Sequence, residues 1–531
     1  MRLQPLVALA FLAACGPSAP APDQTRSLRD ASVERLAHPA ADFASSARGG
    51  NPQGEAFQAP LRSLPPTGLR PSPADAWEVS RLRQPVEDAA AAAPADAPAP
   101  TELPWLHDDW AGAKRAAAER GVPLVVDMWA PWCHTCLSMQ HFVLSDPSVV
   151  ALADRFAWLA VDTDREVNAD VVAALPIKAW PTYFVVDPRD GSVEARLVGS
   201  ATPRELRELL ERGERGLLAS RGDAGSLPAG SPLLAVREGD RAAVEGRPAD
   251  AVLAYDRALA GDLGDRAPDV LVSAIAARRA AGDMAGCVRF GLAHLADAAR
   301  TRSAKTADFA AYALACAADP GVDPAQVTAI RRAVVDKVGP VRRVLLDPKA
   351  PLSDDDRADG LRILREAYDA LGERDMGTAL AERQLAILKR AIASAPDART
   401  AMTFNWPLSE VYVRLARPAD AIPQLEESVA ALPEEYDPPY RLAWILLRSE
   451  RADAAVAPAE KALKLAYGPR KARVFGLLAE IHGARGDRAK RREALVAAVA
   501  LWEGLPAGHQ NPAALAAARA ALIALDAEPA R

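Results

Sequence analysis

The sequence predicts a multidomain protein in which an α/β domain with a central sheet is followed by an all-α array of helices. Between residues 104 and 213, short apolar runs alternate with helical segments, an order that places helices on both faces of a sheet. From residue 233 to 527 the chain has helical character, and short turn motifs recur along it. These two patterns define the predicted fold class.

Length and composition limit the classes of function. At 531 residues the chain is too long for one small core. Its 25% charged and 50% hydrophobic residues are typical of soluble globular proteins, and the low aromatic content of 5% with abundant alanine favours packed helices. The formal net charge of −6 creates no field that attracts nucleic acid. Nucleic acid is therefore not a predicted partner.

The amino terminus, residues 1–14, has the pattern of an export signal. Arg2 provides the positive start, and residues 6–12 form an apolar core that is too short to cross a bilayer. The signal ends in Leu-Ala-Ala followed by Cys15, which resembles the lipobox of bacterial lipoproteins and implies a lipid on Cys15. An ordinary cleaved signal with an incidental cysteine is the alternative. Gly16 slightly favours the outer membrane over the inner one.

Residues 15–103 follow this signal and are rich in proline, alanine, serine and glycine. Such a segment buries too little apolar surface to offset the entropy of ordering it. We expect a disordered tether between the membrane and the folded domains. The folded protein would then face the periplasm.

The α/β domain is predicted from the periodicity of its apolar residues. Buried-strand patterns alternate with capped helical segments, and a turn at Asp190-Gly191 joins the last two strands. The predicted strands are 124–129, 157–161, 182–186 and 193–198, and the predicted helices are 108–119, 133–144, 147–155 and 203–212. A linker is expected at 214–232.

Cys133 and Cys136 form a CxxC motif, which alone indicates redox, zinc or haem sites. Haem attachment is excluded because Leu137, not histidine, follows the second cysteine. Structural zinc needs four ligands, and only His134 and His141 lie nearby in the sequence. The motif therefore favours thiol–disulfide chemistry, with no metal or cofactor.

The residues around this motif carry a family resemblance. Residues 127–136, DMWAPWCHTC, resemble the active-site segment of thioredoxins, and 177–182, IKAWPT, resemble that family's second signature, whose proline is cis. The resemblance covers about 105–213. Residues 136–149 look most like the C-terminal thioredoxin domain of DsbD-type thiol:disulfide interchange proteins. The resemblance to thioredoxins implies a thioredoxin fold and protein-disulfide oxidoreductase activity.

The resemblance also implies roles for individual residues. Cys133, at a helix N-terminus, would be the nucleophilic thiolate, and Cys136 would resolve the mixed disulfide. Asp127 matches the family's buried acid and would accept the Cys136 proton, unless it only pairs locally. Ala160 stands where many thioredoxins have a lysine. Pro181, if cis, would leave neighbouring backbone free to pair with an extended substrate.

A substrate surface is expected around the dithiol. The tryptophans would pack around the site and restrict its partners, and the histidine either stabilises the thiolate or is simply exposed. The predicted residues of this surface are Trp129, Trp132, His134, Trp180 and Thr182.

The helical region contains internal repeats. Gly246-Arg247-Pro248-Ala249-Asp250 is echoed by Ala416-Arg417-Pro418-Ala419-Asp420, and related turns occur at 281–283, 449–454 and 485–487. The spacing of about 34 to 36 residues is the period of tetratricopeptide (TPR) repeats. Residues 233–527 therefore resemble a TPR-like helical solenoid, least clearly at 303–375, and imply protein partners.

Cys287 and Cys316 fall on neighbouring helical segments of these repeats. Buried cysteine usually behaves as a small hydrophobic residue, but an exported protein can also form a disulfide here. Both alternatives stay open from the sequence.

Together these features predict a membrane-tethered periplasmic thiol–disulfide oxidoreductase, acting as a reductase on protein disulfides and recharged by a separate thiol donor. Two alternatives remain: a TPR scaffold with an accessory thioredoxin domain, and a disulfide oxidant or isomerase. The His134-Thr135 dipeptide fits no single class of redox potential.

Overall fold

A computed structural model describes residues 102–222, 227–228, 230–301, 303–347 and 349–527. The predicted signal peptide, Cys15 and the tether up to residue 101 lie outside the described residues. The described chain divides into two compact units. The larger unit contains residues 102–163 and 170–416, and the smaller unit contains residues 164–169 and 417–527.

The α/β domain is built on a five-stranded mixed sheet with the order β1-β3-β2-β4-β5. Central strand β2 pairs in parallel with β3 and antiparallel with β4, while β1 is parallel to β3 and β5 antiparallel to β4. The strands are β1 Trp105–His107, β2 Leu124–Trp129, β3 Ala157–Asp162, β4 Thr182–Val186 and β5 Val193–Val198. The helices are α1 Trp110–Arg120, α2 His134–Phe142, α3 Pro147–Val150, α4 Ala169–Ala174 and α5 Pro203–Arg221.

Both faces of the sheet are buried, because successive side chains of a strand point to opposite faces. On one face, Val125 and Trp158 pack with residues of α2 and α5. On the other face, Val126 and Leu159 pack with residues of α1 and α4. The continuous apolar character of the central strands follows from this two-sided burial. The predicted α/β architecture is confirmed.

Several element boundaries differ from the predictions. Strand β1 and helix α4 were not predicted, and the helix expected over 147–155 ends at Val150, followed by a 3₁₀ turn at Ala153–Arg155. Helix α5 starts at a capping box formed by Thr202 and Glu205, as the cap signal predicts, but it continues to Arg221.

The predicted domain boundary at 213 and the linker from 214 are therefore wrong. The second half of α5 continues to bury small and apolar residues, including Gly216 and Leu217. A Cβ at Gly216 would lie 2.9 Å from the Glu194 carboxylate, so the helix approaches β5 closely there. Helix α5 ends only at Gly222, which adopts a left-handed conformation with φ 71°.

The rest of the larger unit is helical, and consecutive helices pack in pairs joined by short turns. Its helices are α6 Pro232–Val244, α7 Pro248–Leu259, α8 Ala267–Ala280, α9 Met284–Ala298, α10 Ala304–Ala317, α11 Pro324–Val338, α12 Arg342–Leu345, α13 Asp354–Ala370, α14 Arg374–Ser394, α15 Ala398–Met402 and α16 Asn405–Arg414. One buried cluster extends from Leu227 to Ile387. The predicted all-α region is confirmed.

The smaller unit continues the helical pattern. Its helices are α17 Ile422–Ala431, α18 Asp437–Arg448, α19 Ala452–Leu465, α20 Gly468–Ala484, α21 Arg488–Gly504 and α22 Pro512–Ala527. Residues 164–169 pack with these helices: the Tyr436 hydroxyl donates to Asp164 at 3.2 Å. A Cβ at Gly468 would lie 1.9 Å from the Asp164 carbonyl oxygen, so only glycine fits there.

The turn motifs that revealed the repeats share one backbone feature. Each of the five turns places one residue at positive φ between two helical segments. These residues are Gly246, Gly282, Ala416, Glu450 and Gly486, with φ between 56° and 76°. The common conformation confirms the internal repeats.

Cys287 in α9 and Cys316 in α10 form a disulfide, with 6.2 Å between their Cα atoms. Both residues are fully buried in the core of the repeats. The structure thus selects the disulfide over the unpaired alternative that the sequence left open. Within the described part of the chain, each helix is too short or too polar to cross a lipid bilayer.

Candidate redox site

Cys133 lies where β2 passes into α2. Its backbone is extended, with φ −82° and ψ 103°, so it forms the N-cap of α2. The Cys133 Sγ accepts a hydrogen bond from the Cys136 N–H at 3.0 Å, and the two cysteines are joined by a disulfide. Free N–H groups and the helix dipole both favour a thiolate at this position. The geometry fits the predicted nucleophile and resolving thiol.

The dithiol is shielded from solvent in this oxidised form. Cys133 is 3% exposed, and Cys136 is fully buried. Trp132, next to the nucleophile, is buried as well, and its ring centroid lies 5.3 Å from that of Trp180. In this oxidised form, the Cys133 sulfur is therefore largely covered by neighbouring groups.

Pro181 follows a cis peptide bond after Trp180, as the second signature predicts. Its carbonyl oxygen accepts the N–H of Gly199 at 2.9 Å, which joins this loop to the loop after β5. Thr182 is the first residue of β4, is fully buried and donates its hydroxyl to the Ala179 carbonyl at 2.8 Å. Its side chain is therefore covered in this form, and its place on the substrate surface stays a prediction.

The three tryptophans also divide by exposure. Trp132 is buried and packs against Trp180, and its place on the substrate surface stays a prediction. Trp129 and Trp180 remain partly exposed. The Trp180 indole N–H donates to the Thr163 hydroxyl at 2.8 Å, which fixes its ring over Trp132. Trp180 thus packs, partly exposed, on the buried tryptophan that precedes Cys133.

Asp127 is 1% exposed and lies opposite Ala160 on β3 and Tyr183 on β4. Its Oδ1 has no hydrogen-bond partner among the described residues, and the same is true of the Tyr183 hydroxyl. Burial raises the pKa of Asp127 to about 8. That pKa is close to the roughly 8.5 of a free thiol, so the two groups have matched proton affinities. The arrangement fits a buried proton acceptor better than a locally paired acid.

His134, the first residue of α2, contacts a residue that the sequence did not indicate. Its Nδ1 lies 2.8 Å from Asp355 Oδ1, in a pair whose members are 221 residues apart, and the Thr135 hydroxyl lies 3.4 Å from the same nitrogen. Burial lowers the pKa of His134, but the charge and hydrogen bond of Asp355 outweigh it and raise the pKa to about 9. The alternative of a simply exposed histidine is therefore wrong, since its side chain is only 19% exposed.

Comparisons with known proteins agree with this geometry. Residues 105–188 match a family model described as thioredoxin-like. This part of the chain is thioredoxin-like. Thioredoxin 1 of Synechococcus elongatus is 28% identical over 99 residues, which are 19% of this chain and 87% of that protein. Chloroplastic thioredoxin M4 of Arabidopsis thaliana is 30% identical over 116 residues, which are 22% of this chain and 55% of that protein.

For the helical region, a solved structure of a tetratricopeptide repeat protein from Parabacteroides merdae is similar. The TM-score is 0.35 at 10% identity, and the similarity covers 54% of this chain and 99% of that one.

The thioredoxin-like domain contacts the repeats along its redox helix α2. The Ser138 hydroxyl donates to the Ser353 hydroxyl at 3.0 Å, and Ser353 is the N-cap of α13. Further along α2, His141 Nδ1 lies 3.3 Å from the Thr400 hydroxyl. Helix α13 therefore lies beside the helix that holds the dithiol.

The opposite edge of the thioredoxin-like domain is also joined to the repeats. Arg241 of α6 donates to the buried carboxylate of Glu194 on β5 at 2.6 Å. Asp240 accepts the backbone N–H of Arg196 at 3.0 Å and the Tyr255 hydroxyl at 2.8 Å. Within the larger unit, the thioredoxin-like domain is thus held by the repeats at several separate places.

Proposed function

We propose that this chain is a protein-disulfide oxidoreductase whose working dithiol is Cys133 and Cys136. The observation that carries the proposal is the Cys133 sulfur at the N-terminus of α2, hydrogen-bonded to the Cys136 N–H and disulfide-bonded to Cys136. A helix terminus lowers the pKa of such a thiol and provides the nucleophile for exchange. The likeness of residues 105–188 to thioredoxins supports the same activity.

In the proposed reaction, the Cys133 thiolate attacks one sulfur of a substrate disulfide. The substrate S–S bond breaks, and its other sulfur leaves as a thiolate that takes up a proton. Asp127 then accepts the proton of the Cys136 thiol, and the Cys136 thiolate attacks Cys133 Sγ of the mixed disulfide. The second substrate thiolate leaves and is protonated. Two electrons thus pass from the dithiol to the substrate, and the Cys133–Cys136 disulfide forms.

We further propose that the protein acts as a reductase in the periplasm. A lipid on Cys15 would tether it to a membrane, and the outer membrane is slightly favoured over the inner one. The lipobox-like Leu-Ala-Ala-Cys sequence supports the anchor, and residues 15–103 would serve as the tether. The resemblance to DsbD-type domains supports the direction of electron flow. A separate dithiol protein would recharge Cys133 and Cys136, and the repeats would recruit protein partners.

Reduction of insulin by a thiol donor, followed by the turbidity of the released B chain, tests the activity. The wild-type protein should accelerate it, whereas the Cys133→Ser and Cys136→Ser variants should not. Cys15→Ser, which removes a cysteine outside the dithiol, is the matched control and should stay active. Failure of the wild-type protein would favour the scaffold alternative. Equilibration with glutathione gives the direction, since a potential near −120 mV would indicate an oxidant instead of a reductase.

The anchor is tested separately in cells. Cys15→Ser should abolish incorporation of labelled palmitate and release the protein from the membrane fraction, because the lipid is attached at that residue. A variant of the following serine, Ser18→Ala, is the control and should stay lipidated. Unchanged labelling of Cys15→Ser would show that the cysteine at the end of the signal is incidental.

A further inference from the structure

We propose that Asp355, a residue of the helical repeats, is a positioning residue of the redox centre: its carboxylate holds in the charged form the imidazole of His134, the residue that follows Cys133 at the start of α2. The inference rests on the proposed function and extends it. It means that the chemistry of the dithiol depends on a side chain outside the thioredoxin-like domain, so that the repeats tune the reaction as well as recruiting partners.

The surroundings of Asp355 require a cationic partner. Asp355 is 1% exposed, and its Oδ1 lies 2.8 Å from His134 Nδ1. Its Oδ2 is buried without a hydrogen-bond partner among the described residues. Burying a carboxylate is costly unless a charge of opposite sign compensates it. A protonated His134 supplies that charge, and the pair is then a carboxylate and an imidazolium.

The arginines of α13 are engaged by other groups. Arg357 donates to backbone carbonyls, including that of Leu345 at 3.1 Å. Arg362 pairs with Asp359 at 3.0 Å, and Arg365 donates to the Gln384 side chain at 3.1 Å. The hydrogen bond to His134 is therefore the contact through which Asp355 is stabilised.

Helix α13 is fixed beside α2 by contacts that do not involve Asp355. Ser353 caps α13 in a capping box with Asp356, and the Ser353 hydroxyl also accepts the Ser138 hydroxyl of α2 at 3.0 Å. Asp355 lies two residues after this cap. The bond from Ser138 to the cap thus sets the position from which the Asp355 carboxylate reaches His134.

Other charges act on His134 less strongly. From α13, the Asp359 carboxylate raises its pKa and the Arg362 guanidinium lowers it. Asp359 and Arg362 form an ion pair with each other, and their effects on the His134 pKa oppose one another. The other helix packed on α2, α15, brings Asp397 and Arg399 near His141. Asp355 is therefore the residue whose removal should change the charge of His134 most.

The consequence for the dithiol follows from the position of His134. The imidazolium belongs to the residue directly after Cys133, in the first turn of the helix that holds the dithiol, and the Asp355 carboxylate binds it through Nδ1. A cation next to a thiol favours its thiolate and lowers its pKa. A stabilised thiolate also stabilises the reduced dithiol, which makes the protein a weaker reductant than the same site with a neutral histidine.

The test compares Asp355→Asn with Asp354→Asn in the reduced full-length protein. Asp354 is the preceding residue of α13, has a 31% exposed side chain and pairs with Arg357 instead of His134. In the wild type, the NMR signal of the His134 ring should titrate near pH 9. In Asp355→Asn it should titrate at a clearly lower pH, because burial, the largest effect on the His134 pKa, lowers it and is then no longer outweighed by Asp355. Asp354→Asn should leave the titration at its wild-type position.

The dithiol should respond in parallel. In Asp355→Asn the pKa of Cys133, measured from the pH dependence of alkylation, should rise by about one unit. The equilibrium with glutathione should shift about tenfold, or about 30 mV, towards a stronger reductant. In a His134→Gln background, Asp355→Asn should no longer raise the Cys133 pKa, since its effect passes through the imidazole.

Two results would overturn the inference: a His134 titration that Asp355→Asn leaves unchanged, or a Cys133 pKa that stays constant or falls. If Asp355→Asn does not fold, His134→Gln tests the same pair from the other side and should raise the Cys133 pKa. A protein that fails to reduce insulin would refute the proposed function, while the His134 titration would still decide whether Asp355 holds the imidazolium.

Discussion

Lys305 of α10 donates its ammonium group to the backbone carbonyl oxygen of Val198, the last residue of β5, at 2.8 Å. The lysine is buried, and its Nζ lies 3.8 Å from an Asp269 oxygen and 3.7 Å from an Asp308 oxygen. One cation of the repeats thus forms ion pairs with two repeat carboxylates and a hydrogen bond to one carbonyl of the thioredoxin-like domain. Charge compensation inside the repeats and attachment of the domain depend on the same side chain.

We expect Lys305→Met to destabilise the larger unit. Removing one partner of a buried charge pair costs about 3 to 5 kcal/mol, because the remaining charges stay desolvated. Burial already raises the pKa of Asp269 to about 6 and that of Asp308 to about 7, and loss of the Lys305 charge should raise both further.

Calorimetry checks this prediction through the unfolding temperature, which should fall, and fall more at pH 8 than at pH 5. The exposed Lys337 of α11 gives the control variant Lys337→Met, which should unfold like the wild type. Equal unfolding temperatures for the two variants would mean that the buried contacts of Lys305 contribute nothing to stability.

Asp127→Asn should stabilise the protein at neutral and alkaline pH while slowing disulfide exchange. Burial raises the folded-state pKa of Asp127 from 3.8 to about 8. Between these two pH values, the folded protein therefore holds a proton that the unfolded chain has lost. The contribution of this group is therefore fully favourable below pH 3.8. It is lost at about 1.4 kcal/mol per pH unit as the pH rises towards 8.

An asparagine removes this loss because it carries no charge. The difference in unfolding temperature between Asp127→Asn and the wild type should consequently grow from pH 5 to pH 8 and then level off. Insulin reduction should slow, since the Cys136 thiol has lost its proton acceptor. Stability that falls in the variant at pH 8 would contradict a buried, unpaired carboxylate.

The sequence predicted the parts of this molecule that local chemistry specifies. Strand β2 and strand β4 have the predicted boundaries because their apolar runs are bounded by turn residues. The cis bond before Pro181 was predicted from a signature that keeps this backbone next to the dithiol. By contrast, β1 is three residues long, too short for a recognisable period, and is formed by pairing with β3.

Asp355 shows what the sequence could not predict. It is one of three consecutive aspartates after Ser353, a pattern that indicates only the start of a helix. The packing of α13 on α2 decides which of these three aspartates contacts His134. The contacting residue, Asp355, is 221 positions away from His134 in the sequence. The burial of Trp132 and Thr182 likewise follows from tertiary packing, which the local motif does not specify.

The disulfide between Cys287 and Cys316 should contribute to the stability of the repeats. It closes a loop with a sequence separation of 29, and a cross-link of that length is worth about 3.6 kcal/mol through the entropy of the unfolded chain. We expect the double variant Cys287→Ala/Cys316→Ala to unfold at lower temperature while reducing insulin at the wild-type rate.

Peptide mapping without reductant should recover the cross-linked pair from the wild type. The matched control is Cys133→Ala/Cys136→Ala, which removes the Cys133–Cys136 disulfide, whose sequence separation is only 3. Because the constraint grows with loop length, this control should lose less stability. An unfolding temperature that the repeat variant leaves unchanged would contradict a stabilising role.

The order of the exchange reaction predicts which cysteine variant captures substrates. Cys133 is the N-cap of α2 and provides the nucleophile, whereas Cys136 is fully buried behind it. Cys136→Ser should therefore still attack a substrate disulfide but should be unable to resolve the product, so mixed disulfides accumulate on Cys133. Non-reducing gels of cells that express this variant should show discrete bands above the protein, and reductant should remove them.

Cys133→Ser is the matched control, because it keeps the Cys136 thiol of the same motif, which is buried where a substrate cannot reach it. It should give no bands. Bands with Cys133→Ser and none with Cys136→Ser would reverse the two roles.

The trapped species also test the repeats: in a Cys136→Ser/Ser138→Ala variant, loss of the hydrogen bond to Ser353 loosens α13 beside α2. If the repeats shield the dithiol, the same bands should then form faster, since Cys133 is only 3% exposed when the contact is intact. An unchanged rate would mean that access to the sulfur is controlled within the thioredoxin-like domain, by Trp132 and Trp180.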